Sequence, residues 1–140
     1  MSSSGRSHRQ LVLVVEDDCD VQDALKETLE DAGYEPVSTR NGQEALAWLR
    51  HSPPPSVILL DLFMPMMNGW DFVRHLRQDP RWCRLPLVVL TAIKPYWGYP
   101  VDRVLRKPVG TMQLLRALVD ATNALTAKEQ VPSRSAAPVP

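Results

Sequence analysis

The sequence predicts an α/β domain: a parallel sheet covered by helices on both faces. Three observations lead there. The apolar runs Leu11–Val15, Val57–Leu60 and Leu87–Leu90 are continuous rather than alternating, as in strands buried on both sides. Segments of helical periodicity separate them, giving the β-α-β-α order of a parallel sheet with right-handed crossovers. Acids close two of the runs, Glu16-Asp17-Asp18 after the first and Asp61 after the second, at the carboxyl edge where open α/β sheets bind ligands.

The elements follow in order. After the first strand, Val21, Ala24, Leu25, Thr28, Leu29 and Ala32 recur at helical spacing, with Asp18 or Asp20 as cap and Gly33 as terminator. A short strand is expected near 36–39. Asn41-Gly42 leads into a second helix with Ala45, Leu46, Trp48 and Leu49 inward, stopped by Ser52-Pro53-Pro54-Pro55. The third helix begins near Gly69, turns Phe72, Val73 and Leu76 inward, and ends before Pro80. The fourth strand reaches Thr91, and a fifth around 103–106 ends in Lys107-Pro108. Thr111 is the expected N-cap of the last helix, which should bury Leu114, Leu115, Leu118, Val119 and Leu125. Residues 1–9 and the Pro/Ser/Ala-rich stretch 129–140 are expected to be disordered tails around one domain spanning 10–128.

Composition narrows the function classes. The 140 residues are 44% hydrophobic and 23% charged, with zero net charge, ordinary for one globular domain and without the bulk charge that favours nucleic acid or membrane. Ten of the sixteen acids lie at or before Glu44, and residues 74–107 carry eight Lys or Arg against Asp79 and Asp102. That asymmetry reads first as solvated surface. Cys19 and Cys83 form neither a disulfide framework nor a zinc spacing. The polar start of the chain lacks the apolar core of a secretory signal, and no run is long enough to span a bilayer, so a cytoplasmic protein is expected.

The residues just past the strand ends form a chemical set: Glu16, Asp17, Asp61, Thr91 and Lys107. Asp17 and Asp61 can hold a hard divalent cation such as Mg²⁺. Asp61 can attack phosphorus as a nucleophile, with Lys107 as fixed positive charge and Thr91 as hydroxyl donor to phosphoryl oxygens. Alone, each residue has an ordinary explanation as a cap, a packing hydroxyl or a surface lysine. Their joint placement at successive strand ends does not.

On the motifs Val14-Val15-Glu16-Asp17-Asp18, Asp61 with Met64-Pro65 and Gly69, Leu90-Thr91-Ala92, and Lys107-Pro108, the chain resembles the receiver domain of two-component response regulators over roughly residues 10–128. The resemblance implies a flavodoxin-like doubly wound sheet of five strands in order 2-1-3-4-5. It implies that Asp61 takes a phosphoryl group from a histidine kinase or phosphotransfer protein. It places Mg²⁺ (or Mn²⁺) on Asp17 and Asp61 directly, on Glu16 through water, and on the Phe63 backbone carbonyl. Thr91 and Lys107 become the family's switch hydroxyl and lysine.

Two departures stand out. Receivers place a helix between the positions of Thr91 and Lys107, whereas here Pro95, Gly98 and Pro100 oppose one, so that helix is expected to be absent or much reduced. Tyr96, Trp97 and Tyr99 are expected to fold over the sheet in its place, with an exposed docking patch as the alternative. The family's switch aromatic, three residues before the lysine, is Val104 here, so readout must use other means. Phe63 and Ile93, each two residues past a key side chain, are bulky and apolar and should hinder an attacking water, which predicts a slowly hydrolysing acyl phosphate. With no room for an output domain, the expected function is a stand-alone phospho-receiver acting through an unnamed downstream protein rather than a turnover enzyme. A phosphorylation-independent interaction module is the alternative. An aspartyl-phosphate phosphohydrolase is a weaker one, since Phe63 occupies the place of the second acid such enzymes need.

Overall fold

A computed structural model of the chain describes residues 9–62, 68–92 and 101–130, with side chains through Asn123. The described residues carry β1 (Leu11–Val15), α1 (Cys19–Asp31), β2 (Glu35–Thr39), α2 (Gly42–Arg50), β3 (Val57–Asp61), α3 (Gly69–Gln78), β4 (Leu87–Thr91), β5 (Arg103–Arg106) and α4 (Thr111–Gln130). All strand pairs are parallel, in the expected order β2-β1-β3-β4-β5.

The continuous apolar runs are explained by two cores, one on each face of the sheet. Leu13, Val15, Ile58, Leu60, Leu87 and Val89 point to one face, under Ala45, Leu46 and Leu49 of α2 and Phe72, Val73 and Leu76 of α3. Their neighbours Val12, Val14, Val57, Leu59, Val88 and Leu90 point to the other, under Leu29 of α1 and Leu114, Ala117, Leu118 and Ala121 of α4. Successive strand residues alternate faces, so a strand with a core on each side has no position for a polar residue. The edge strands β2 and β5 are partly exposed.

Local chemistry sets the helix ends. Asp18 caps α1, accepting from Asp20 N at 2.8 Å and Val21 N at 3.1 Å. Gly33 takes φ 93°, and the bonds Tyr34 N→Leu29 O (2.9 Å) and Gly33 N→Glu30 O (3.0 Å) close the helix as a Schellman motif. Asn41 and Asn68 cap α2 and α3 by accepting from Glu44 N and Asp71 N.

The last helix differs from expectation in three ways. Gly110, not Thr111, is the capping position: its carbonyl accepts Leu114 N at 3.0 Å, so Thr111 already lies inside the helix. Val119 is 45% exposed, and Ala117 and Ala121 fill the inner stripe instead. At about 100° per residue, positions 114, 117, 118 and 121 share a face that 119 turns away from. Leu115 is partly buried, and the side chain of Leu125 lies outside the described set. The helix runs on to Gln130, past the boundary expected at 128.

Trp82, in the segment joining α3 to β4, is buried in the core under α2 and α3, with the Arg81 guanidinium 4.3 Å from its ring centre. Trp48 and Trp70 pack at the margin of the same core. The expectations for a missing helix and for Tyr96, Trp97 and Tyr99 fall on residues 93–100, outside the described residues.

Candidate functional site

The sheet brings the predicted acids together. β1 and β3 are adjacent and in register through Val15↔Leu60, so Glu16 and Asp61 leave neighbouring strands at the same height. Carboxylate oxygens of Glu16, Asp17 and Asp61 lie within 4.8 Å of one another. Glu16 is 1% exposed and Asp61 6%, whereas Asp17 is exposed and opens the cluster to solvent.

Lys107 reaches the cluster from the far side. β5 pairs with β4 through Thr91↔Arg106, and Lys107 N donates to Thr91 O at 2.8 Å, which carries the lysine just past the strand end. Its Nζ stands 3.4 Å from both Glu16 Oε1 and Asp61 Oδ2. Thr91 is buried at the end of β4, beside Asp61 across the β3–β4 pair. Val104 is 39% exposed and sits two positions before Arg106, back along β5 from the cluster. Phe63 and Ile93 lie outside the described residues.

Three carboxylates facing one ammonium leave an excess of negative charge in a mostly buried site. Burial above all, then the charge of Asp61, push the Glu16 carboxyl from its usual 4.5 up to about 7; the Asp18 N–H and Lys107 pull the other way. Oxygen donors with surplus negative charge suit a hard divalent cation, so the residues present fit Mg²⁺.

Two supports of the site depend on contacts that the sequence alone does not show. A Cβ on Gly69 would stand 2.5 Å from Leu62 Cα and 2.8 Å from Leu62 O, so α3 can begin against the residue after Asp61 only with glycine there. Gly69 N donates to Leu62 O at 2.7 Å, tying the two together. Gln22 of α1 donates its side-chain amide to the carbonyls of Glu16 and Thr39, at 2.7 and 2.8 Å. Glutamine within a helix gives no sequence signal for such a contact.

The expected basic surface of residues 74–107 is largely paired with acids. Arg74 meets Asp71, Arg81 meets Asp79, Arg77 meets Asp102, and Arg103 meets Asp120. No helix among the described residues is long and apolar enough to cross a membrane.

Known proteins are similar to this chain in sequence and in fold. The family model described as response regulator receiver domain matches residues 12–119. A probable transcriptional regulator, ycf27, of Porphyra purpurea is 31% identical over 104 residues, which cover 74% of this chain and 40% of that protein. The chain thus spans less than half the length of that relative. The chemotaxis protein CheY4 of Vibrio cholerae superposes with a TM-score of 0.72 at 29% identity, covering 81% of this chain and 98% of that one. The receiver domain of a sensor histidine kinase of Pseudomonas aeruginosa, solved with magnesium in its active-site cleft, shares the fold with a TM-score of 0.75 at 24% identity, covering 82% and 98%.

Proposed function

The chain belongs to the response regulator receiver domain family, and from that membership we propose that it accepts a phosphoryl group on Asp61 from a histidine kinase or phosphotransfer protein and passes the signal on by binding a partner. The family is a signalling module rather than a turnover enzyme. The observation that carries the proposal is the convergence of Glu16, Asp17 and Asp61 within 4.8 Å, with Lys107 Nζ 3.4 Å from two of them.

The transfer is a displacement at phosphorus. A carboxylate oxygen of Asp61 forms the new P–O bond while the P–N bond to the donor imidazole breaks, its electron pair leaving with the nitrogen. Lys107 holds its ammonium beside the Asp61 carboxylate and offsets charge on the phosphoryl oxygens there. Thr91, at the adjacent strand end, offers a hydroxyl donor. Asp17 and Asp61 would hold Mg²⁺ (or Mn²⁺) directly and Glu16 through water; the proposed Phe63 carbonyl ligand lies outside the described residues. Bound there, the cation supplies positive charge against the incoming phosphoryl group.

A groove of about 710 Å³ beside Lys107, walled by Val21, Ala24 and Leu25 of α1 and by Pro108, Val109 and Leu114, supports docking of the phosphodonor at this edge. We place the protein in the cytoplasm, with its kinase. Val104 in the family's aromatic position favours the second reading, a module that binds partners without phosphorylation.

One experiment separates them. Mg²⁺ with beryllofluoride is added to wild type and Asp61→Asn while Trp fluorescence and NMR shifts are followed. A response that needs Asp61 is expected. No such response selects the second reading, and sustained turnover of phosphomonoesters would mean a phosphohydrolase.

A further inference from the structure

We propose that Gln22 is a positioning residue for the acidic site: its side-chain amide fixes the Glu16–Asp17 corner where both carboxylates reach Asp61. The inference rests on the reading that these acids hold a divalent cation.

The ladder between β1 and β2 has its last paired residues at Val15↔Thr39, after which Glu16 N donates to Thr39 O at 3.0 Å. The chain then turns toward α1, carrying the Glu16 carbonyl beyond the sheet. Gln22 meets it there. Its Nε2 donates to Glu16 O at 2.7 Å and to Thr39 O at 2.8 Å, one amide joining carbonyls from two strands.

Both ends of this staple are anchored. Gln22 N donates to Asp18 O at 2.9 Å, within the first turn of α1. The Thr39 hydroxyl donates to Val14 O at 2.8 Å in a buried contact. Glu16 is oriented from its side chain as well, where Oε2 accepts Asp18 N at 3.2 Å. Repulsion among carboxylates within 4.8 Å of one another pushes the turn carrying Glu16 and Asp17, which lies past the last β1–β2 pair, away from Asp61. A bond from α1 to the Glu16 carbonyl opposes that movement. In both bonds the Gln22 amide meets a backbone carbonyl, so it acts through the turn and not on the cation or phosphoryl group.

The test uses the full chain as wild type, Gln22→Met (similar length, no donor) and Gln22→Arg (donors restored). Mg²⁺ dissociation constants are read from Trp fluorescence. Glu16 amide exchange is read by NMR in the metal-free protein, and the urea midpoint reports the fold. Gln22→Met is expected to weaken Mg²⁺ binding about tenfold, the scale of outer-shell losses at metal sites. It should also speed Glu16 amide exchange, and Gln22→Arg should recover most of the affinity. A purely structural Gln22 would lower the urea midpoint and leave Mg²⁺ affinity within about twofold; that result, or a loss that Gln22→Arg does not recover, overturns the inference. If Gln22→Met does not fold, Gln22→Ala carries the same expectation on a residue that favours helix. Wild type failing to bind Mg²⁺ would overturn the functional reading, and this inference with it. Wild-type binding unmoved by Gln22→Met overturns this inference alone.

Discussion

Replacing Glu16 with Gln in the metal-free protein should stabilise it at pH 8 and remove much of its pH dependence. Burial and the Asp61 charge raise the Glu16 carboxyl from 4.5 to about 7 in the folded state. Between those values the folded protein keeps a proton that the unfolded chain has lost. Unfolding free energy therefore falls as pH rises through the window and stays low above it. A shift of that size, at about 1.4 kcal/mol per pH unit, corresponds to about 3 kcal/mol. Gln keeps an acceptor for Asp18 N and removes the charge, while Lys107 retains Asp61 at 3.4 Å. Urea unfolding in EDTA at pH 5 and pH 8 gives the measurement, and subtracting the variant from wild type cancels the other titrating groups. Parallel curves for the two proteins between pH 4.5 and 8, or a variant less stable than wild type at pH 8, would refute the electrostatic account.

Other outcomes follow from single contacts. Gly69→Ala should destabilise by about 2–3 kcal/mol in urea unfolding, because the nearest atoms to the new Cβ include Leu62 backbone that cannot move aside; a loss below that of an ordinary surface change would count against the contact. Arg77→Leu should cost about 3 kcal/mol: Arg77 donates to Cys83 O and Leu85 O and lies 4.0 Å from the largely buried Asp102 carboxylate. Adding Asp102→Asn should recover part of that loss in a double-mutant cycle. Acyl phosphate on Asp61 should decay slowly, and Phe63→Asn should speed the decay by admitting water. Rapid loss of label from wild type would refute that assignment.

The fold was legible because the cores are two-sided. Continuous apolar runs at 11–15, 57–60 and 87–90 announce strands with no solvent face, and the caps Asp18 and Asn41 and the terminator Gly33 mark where helices begin and end. The grouping of the candidate site residues was legible because each lies at a strand's carboxyl end or within two residues of it, so strand order rather than loop conformation brings them together. Other features gave no signal. Val119 matches the hydrophobicity of an inner position and misses its angle, so composition misled where geometry decides. Trp82 is buried by a short segment without periodicity. Gln22 acts through backbone carbonyls, which every residue has, so sequence cannot show which ones it meets.

The same layering explains how a small domain carries so much unfavourable charge in one place. Glu16 is buried and protonates far more readily than an ordinary carboxylate, which is a standing cost of the folded state. That cost falls at the tips of β1 and β3, and both strands are buried along nearly their whole length between two cores. Relief by local fraying would have to expose Val14, Val15 or Leu60, at about 1.5–3 kcal/mol for each large apolar side chain. Fraying a single strand end thus costs about as much as the charge it would relieve. The strain therefore stays on the carboxylates, where a cation, a proton or a change at Asp61 can relieve it, and Lys107, equally far from Glu16 and Asp61, is placed to respond to each.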